Sequence, residues 1–267
     1  MQPMTTRRKL AIATWAPPAE GNIFGKLTLD ATRALAWLDE VRARTGEKVT
    51  ITAFIGRALG EALHRVPSLN GRIRMGVYIP HETVDVTFLV STDDGKDLAK
   101  VKVRDADKKS VSDIARELRE AAGRVRKGED EAFEKSKGVL RALPTWLIRP
   151  LLSVSGWLSG SMGVELKALG LERFPFGSCV VTNVGMFGLD EGYAPFTPFA
   201  HVPLLVLVGA LRDAPTVKEG QVVVQKQVTL TATIDHRFID GFQGGILART
   251  VREIFEDPWQ LDRKPAE

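Results

Sequence analysis

The chain has 267 residues, of which 44% are hydrophobic and 26% charged, and its formal net charge is +4 at pH 7. This is the composition of a globular protein with a sizeable core, and acids are interleaved with the basic residues, which argues against a nucleic-acid-binding stripe. Cys179 is the single cysteine, so no intrachain disulfide can form and a reducing, cytoplasmic compartment is expected, with no signal peptide and no transmembrane helix.

The N-terminal part of the chain combines extended and helical patterns. Strands are predicted over 8–16 and 25–31, where apolar and β-branched residues cluster. Asp30 then offers an oxygen that can cap the start of a helix, and Gly46 marks the end of that helix. We therefore expect a strand to lead directly into an amphipathic helix.

The following elements are predicted from caps and apolar periodicity. Thr50 or Thr52 starts a helix that Pro67 stops, and Ser110 opens another helix that ends near Gly128. The remaining elements are strands over 83–91, 96–103, 177–185, 202–212 and 221–235, and a helix over 241–257. Strands and helices do not alternate regularly, so the sequence favours an α/β protein with a mixed sheet and helices layered on it. We expect a single domain over 1–267.

An apolar segment at about 129–174 interrupts this pattern. It contains Pro144, Pro150 and several glycines, and from Pro150 to Val164 it carries no charge. One interpretation is a broken helical hairpin packed on the main body. The alternative is an element that contacts a membrane surface, docks a partner or covers an acyl chain, with 139–168 as the membrane-contacting stretch.

The chemistry concentrates in "DHRFIDG", residues 235–241, at the end of the last predicted strand. A neutral imidazole at His236 can take a proton from a thiol at modest cost, because the two groups titrate near 6.5 and 8.5. Asp240 can fix the local turn or pair with a cation, and Gly241 lets the chain turn without a side-chain clash. A buried structural histidine is the alternative, and a metal site shared by His236 and Asp240 is disfavoured because no other ligand lies at suitable spacing.

Several segments, in order along the chain, resemble the catalytic core of the dihydrolipoamide acyltransferases of 2-oxo acid dehydrogenase complexes. Besides "DHRFIDG", they are "VTITAFIGRALGEALHRVPSLNGRI" (49–73), "VRDADKKSVSDIARELRE" (103–120) and "CVVTNVGMFG" (179–188). The related chloramphenicol acetyltransferases and condensation domains have two adjacent histidines, whereas this chain has Asp235. The resemblance covers about 45–128 and 176–256 and implies a chloramphenicol acetyltransferase-like fold.

The resemblance implies an enzyme that moves an acyl group between thiols. His236 would be the general base toward coenzyme A or dihydrolipoamide, and Thr182, where the family usually has serine, would donate to the oxyanion. Asp240 would complete the catalytic set, paired with Arg7 or Arg8 as the family's motif aspartate is with an arginine. Asn183, Gly185 and Gly241 would bind coenzyme A, which is a substrate, and no bound metal is implied.

The same resemblance implies a homotrimer, or an assembly of trimers, with the site between subunits. The chain contains no recognisable lipoyl domain, so a lipoyl group is expected from another chain. Two alternatives stay open: a non-catalytic trimeric scaffold that keeps the fold, and acyl transfer to an amine or alcohol. Cys179 is expected to be a small core residue, and His201 is a further candidate to line the site, whereas His64 and His81 lack a partner pattern.

Overall fold

The computed structural model describes Leu10, Thr14 and residues 21–92, 97–127, 143–165 and 171–262. Leu10 and Thr14 have helical backbone, so the prediction of an extended segment is wrong at these two positions. The rest of the predicted strand over 8–16 lies outside the described residues, as do Arg7 and Arg8.

The elements of the described chain are bounded as follows. The strands are β1 Asn22–Asp30, β2 Gly71–Arg74, β3 Val77–Pro80, β4 Val86–Thr92, β5 Asp97–Val103, β6 Cys179–Asn183, β7 Leu204–Val208, β8 Arg212–Lys218 and β9 Gln221–Asp235. The α-helices are α1 Thr32–Thr45, α2 Ile51–Arg65, α3 Val111–Arg126, α4 Thr145–Gly156 and α5 Gly241–Glu256.

The main sheet is mixed, which confirms the predicted fold class. Its order is β1-β9-β7-β6-β4-β5, and β8 continues from β7 along the same edge of β9. Strands β4, β6 and β7 run parallel to one another, whereas β9 is antiparallel to both β1 and β7. The carboxyl ends of the parallel strands therefore lie on one side of the sheet along the strand direction, and the carboxyl end of β9 lies on the opposite side.

Helix α2 is the centre of the layer that covers one face of the sheet. Thr50 caps its first turn by accepting a hydrogen bond from the Ala53 N–H, as predicted. A Cβ at Gly56 would lie 2.1 Å from the Phe88 ring, so glycine lets α2 approach β4 closely. The main core lies between this sheet face and helices α1, α2, α3 and α5.

The loop from Met186 to His201 covers part of the opposite face of the sheet. Val180 and Leu205 point away from the helices and form a second apolar cluster with Ala200 and Val202. The Thr233 hydroxyl of β9 donates to the Ala194 carbonyl at 2.8 Å, which fastens this loop to the sheet.

Part of the segment at 129–174 is described, and it forms α4 followed by a π-helical turn, Trp157–Ser161. A Cβ at Gly156 would lie 2.4 Å from the carbonyl oxygen of Phe199, so α4 packs directly on the backbone of the covering loop. The Ser161 hydroxyl donates to the Ile73 carbonyl of β2 at 2.9 Å. The outer face of α4 leaves Trp146 and Val154 exposed.

Three local predictions need correction. The cap of α1 is Ala31 rather than Asp30, although the Asp30 carboxylate accepts a hydrogen bond from the Thr32 N–H. The apolar run at 202–212 is not one strand, because β7 ends at Val208 and β8 begins at Arg212. The β2–β3 hairpin was not predicted, since its strands are only four residues long.

Candidate functional site

His236 lies immediately after β9, where two backbone contacts hold it. Its N–H donates to the Gly21 carbonyl at 2.8 Å, and its Nδ1 is 2.6 Å from the Ile239 carbonyl oxygen. A carbonyl oxygen can only accept, so Nδ1 carries the proton in the neutral ring and Nε2 keeps its lone pair. The side chain is exposed, and no described residue forms a hydrogen bond with Nε2. A buried structural histidine is therefore excluded for this chain.

The two residues that flank His236 stiffen the strand end. Asp235 is buried and its carboxylate forms a bidentate pair with the Arg237 guanidinium, with Nε at 2.9 and 3.0 Å from the two oxygens. The Asp235 carboxylate also accepts from the Arg237 N–H. Both side chains line a cavity of about 160 Å³, to which His201 and Ser161 also contribute. The candidate role of His201 as a lining residue agrees with this position.

Asp240 serves as the cap of α5. Its carboxylate accepts from the Phe242 N–H at 2.9 Å, and the Gln243 side chain accepts in return from the Asp240 N–H. This capping box fixes the turn that carries Ile239, and hence the carbonyl that orients the His236 ring. Gly241 does not have a left-handed backbone, and a Cβ there would meet nothing within 4 Å. The predicted reason for glycine at 241, avoidance of a side-chain clash in the turn, is therefore wrong.

Thr182 lies near the end of β6, in register with Leu89 of β4 and Leu207 of β7. Residues alternate in orientation along a strand, so Thr182 points to the same face as Val180, away from the helices. It is half-buried, and no hydrogen bond joins its hydroxyl to the described part of the chain. The hydroxyl is therefore available to form a hydrogen bond with a substrate or a neighbouring subunit that approaches this face of the sheet.

Asn183 and Gly185 shape the turn that follows β6. The Asn183 amide donates to the Thr52 hydroxyl at 2.7 Å and its oxygen accepts from the Gly185 N–H at 2.9 Å. A Cβ at Gly185 would lie 2.5 Å from the Gly209 carbonyl oxygen, so close packing accounts for this glycine. Asn183 also lines a cavity of about 350 Å³ between α2 and α3, which has Lys48 and Arg119 among its walls.

Within one chain, His236 and Thr182 lie toward opposite ends of the strands of the main sheet. The register places Thr182 level with Leu207 and Thr231, and His236 follows Thr231 by five residues along β9. At about 3.3 Å per residue the two residues are about 17 Å apart along the strands, and two strand positions apart across the sheet. The two side chains cannot act on one thioester within a single subunit.

The other reactive side chains lie away from this motif. Cys179 is fully buried, and burial raises the pKa of its thiol, as expected for a core residue. His64 pairs with Asp107 at the surface, at 3.3 Å. Among the described residues, no group of three or more His, Cys, Asp or Glu side chains could hold a metal ion. Three groups near the motif were not predicted from the sequence: Arg237, Ser161 and the Ile239 carbonyl. Only Arg237 could have been found from the sequence, because it lies two residues from Asp235.

The chain is similar to known acyltransferases over most of its length. Residues 24–139 and 164–262 match the family described as 2-oxoacid dehydrogenases acyltransferase (catalytic domain). The dihydrolipoyllysine-residue succinyltransferase component of the 2-oxoglutarate dehydrogenase complex of Escherichia coli is 27% identical over 220 residues, 82% of this chain and 43% of that protein. The acetyltransferase component of the pyruvate dehydrogenase complex of Staphylococcus epidermidis is 25% identical over 223 residues, 82% of this chain and 41% of that protein. The chain thus spans less than half the length of these relatives.

Solved structures share the fold. A probable dihydrolipoamide acetyltransferase from Listeria monocytogenes superposes with a TM-score of 0.70 at 20% identity, covering 100% of this chain and 97% of that one. A truncated catalytic core of the 2-oxoacid dehydrogenase multienzyme complex from Thermoplasma acidophilum gives a TM-score of 0.65 at 22% identity, with 97% and 98% coverage. The resemblance found in the sequence is thereby confirmed. The chain belongs to the family of 2-oxoacid dehydrogenase acyltransferase catalytic domains.

Proposed function

We propose that this domain transfers acyl groups between the thiols of coenzyme A and dihydrolipoamide, with His236 as the general base and Thr182 as the oxyanion donor. The observation that carries the proposal is the fixed ring of His236. Its Nδ1 proton is held by the Ile239 carbonyl, so Nε2 is the nitrogen that faces outward as a base. Asp240 acts as a positioning residue, since it caps the turn that presents that carbonyl.

The chemistry needs one proton carrier and one oxyanion donor. Nε2 takes the proton of the attacking thiol while its sulfur bonds to the thioester carbonyl carbon. The oxygen gains the negative charge and accepts a hydrogen bond from the Thr182 hydroxyl. The carbonyl then re-forms, the second sulfur leaves, and the imidazolium returns the proton to it. No covalent acyl-enzyme is required.

We place coenzyme A beside the end of β6, the strand end that carries Thr182 and Asn183. The cavity of about 350 Å³ that Asn183 lines is mostly apolar, with Phe88 and Leu118 in its walls, which suits a pantetheine arm. Lys48 and Arg119 supply cations for phosphate groups there, although Arg119 is also paired with Glu47 at 2.5 Å. In this scheme Asn183 and Gly185 shape the pocket by fixing the turn, and the lipoyl group is supplied by another chain.

The active assembly in this proposal is a homotrimer. The separation of His236 and Thr182 within one chain supports it, because a neighbouring subunit must bring the missing half of each site. The β8–β9 ribbon extends beyond β1 and exposes Val217, Val222 and Val224, an apolar surface suited to contact between subunits. None of the described helices is long and apolar enough to cross a bilayer. With a single, buried thiol, we assign the protein to the cytoplasm.

The segment at 129–174 is proposed to be an insertion that covers the acyl end of the site. The family match omits 140–163, and the π-helical turn that follows α4 contributes Ser161 to the cavity beside Asp235 and Arg237. Packing of α4 on Phe199 supports a covering role over surface contact with a membrane.

The test is acyl exchange between acyl-CoA and free dihydrolipoamide, followed by thioester absorbance. We expect His236→Ala to lower the rate by about 10²–10⁴-fold, because the thiol then loses its base. His64→Ala is the matched control, since it removes an imidazole that lies on α2 and pairs with Asp107. Equal rates for His236→Ala and the unaltered protein would end the assignment. A parallel thiol-release assay with amines and alcohols as acceptors separates thiol transfer from the alternative acceptors, and no release with any acceptor would favour the scaffold.

A further inference from the structure

Arg72 of β2 is a buried arginine with no ion-pair partner among the residues that the structure describes. Its side chain is among the buried charged groups, with 8% relative exposure. Its Nε donates to the Ser161 carbonyl at 3.1 Å, but no described carboxylate forms an ion pair with its guanidinium. Burial lowers the pKa of Arg72, and the positive charges of Arg173 and Arg74 lower it in the same direction. A buried guanidinium normally has an anionic partner, so this arrangement is incomplete as it stands.

Arg72 borders a cavity of about 380 Å³ together with His81, Arg173 and Phe174. The guanidinium carbons of Arg72 and Arg173 lie 4.3 and 4.8 Å from the centroid of the Phe174 ring, and the His81 ring lies 4.7 Å from it. Phe174 has a φ of 48°, a left-handed conformation that is unfavourable for a bulky residue. This strained backbone places an aromatic ring within cation–π distance of two guanidinium groups.

The other charged side chains at the cavity are Lys102, Arg104, Glu82, Asp85, Asp105 and Glu165. Lys102 is paired with Glu172 and donates to the Phe174 carbonyl at 3.0 Å. The Asp105 carboxylate pairs with Lys108 at 3.0 Å, and the Asp85 carboxylate accepts from the Asp105 N–H at 3.3 Å. None of the four acids, Glu82, Asp85, Asp105 and Glu165, forms a described ion pair with the Arg72 guanidinium.

His81 reports the sign of the field inside the cavity. Burial, together with the positive charges of Arg72, Arg173 and Lys102, lowers the pKa of His81 to about 4. The imidazole is thus neutral at pH 7 and adds a neutral hydrogen-bonding group beside Arg72 and Arg173.

We propose that this cavity is an oxyanion-binding site, in which the forked guanidinium of Arg72 binds a carboxylate or phosphate and Arg173 closes over it from the mouth. Two parallel N–H groups of a guanidinium match two oxygens of either anion. The site stands apart from the proposed acyl transfer, since none of its residues belongs to the His236 or Thr182 half-sites. Its natural anion is either a carboxylate at the end of a small metabolite or acyl group, or a phosphate.

The test is calorimetric titration of the whole protein with inorganic phosphate and, separately, with succinate, at constant ionic strength. We expect saturable binding of at least one of them, and Arg72→Gln should weaken it by about 10- to 100-fold because a charged hydrogen-bonding partner is lost. Arg173→Gln, at an exposed position, should weaken binding as well and decides the matter if Arg72→Gln does not fold. Arg74→Gln is the matched control, because Arg74 is exposed on the same strand and does not border the cavity.

Histidine NMR gives an independent readout, with His81→Gln to assign the signal. Saturating anion should raise the pKa of His81, since a negative charge offsets the two guanidinium groups. Preference for phosphate identifies a phosphoryl ligand and preference for succinate a carboxylate ligand, and either result supports the site. Absence of saturable binding by both anions, an unmoved His81 pKa, or an equal loss of binding in Arg74→Gln would overturn the proposal. None of these results depends on whether acyl exchange is found.

Discussion

Thr182 is the residue on which the proposed oxyanion stabilisation depends. Its β-branched side chain restricts χ1 more than a serine would, so the strand backbone of β6 largely sets the direction of the hydroxyl. Its neighbours Val180 and Leu205 on the same face are buried, whereas Thr182 is only half-buried. A hydroxyl at this position therefore combines a fixed direction with access from a neighbouring subunit.

Replacing Thr182 by valine keeps the shape of the side chain and removes the donor. We expect Thr182→Val to lower kcat for acyl exchange by about 10²–10³-fold with little change in KM, because the lost hydrogen bond forms mainly in the transition state. Thr182→Ser is the control and should retain activity within about tenfold. Equal kcat values for Thr182→Val and Thr182→Ser would show that the hydroxyl does not stabilise the oxyanion.

Residue-level predictions from sequence succeed where the partner is near in the chain. The caps at Thr50 and Ser110 were predicted correctly because each accepts from an N–H three residues ahead. The oxyanion cavity could not be predicted, because Arg72 and Arg173 are a hundred residues apart and only the topology brings them to one aromatic ring. His81 lacked a partner pattern in the sequence for the same reason.

Helix α4 shows how one element is held to the body by a contact that leaves no room for a side chain. A Cβ at Gly156 would lie against the carbonyl oxygen, Cα and Cβ of Phe199, and the oxygen and Cα are backbone atoms. The periodicity of the segment predicted helix and broken packing, but it did not identify the loop at Phe199 as the partner. That partner depends on how the covering loop crosses the sheet.

Gly156→Ala should therefore lower the free energy of unfolding by about 1–3 kcal/mol, since the added methyl group overpacks the contact. Gly123→Ala is the matched control within helix α3, because a Cβ there meets nothing within 4 Å, and it should raise stability by up to about 1 kcal/mol. Urea unfolding followed by circular dichroism measures both. If α4 covers the acyl end of the site, Gly156→Ala also changes the ratio of exchange rates for short and long acyl-CoA substrates. Similar stability of the two variants would mean that the Phe199 contact is not tight.

At the scale of the whole molecule, His236 and Thr182, the two residues of the proposed site, lie toward opposite ends of the strands of one sheet. The resemblance of the motifs to the family implied both residues and a site between subunits. The register of β6, β7 and β9 supplies the physical reason, because strands of fixed rise keep His236 and Thr182 apart. The distance between His236 and Thr182 could not be predicted from the residues around either motif.

Mixing inactive subunits tests this arrangement. We expect His236→Ala and Thr182→Val proteins, unfolded together in equal amounts and refolded, to regain about a quarter of the normal exchange rate, because each site draws one residue from each of two subunits at random. Each variant refolded alone is the control and should stay inactive. Failure of the mixture to exceed its components, with trimers verified by sedimentation, would place both residues in one subunit.

The pairing of β1 with β9 sets the order in which this protein can be completed during synthesis. Asn22–Asp30 is the first described strand, and its partner ends at Asp235, so more than two hundred residues must leave the ribosome before the two can meet. Gly21, just ahead of β1, accepts the backbone hydrogen bond of His236. The imidazole can therefore reach its observed position only after nearly all of the chain has been synthesised, and nascent fragments carry no formed His236 half-site.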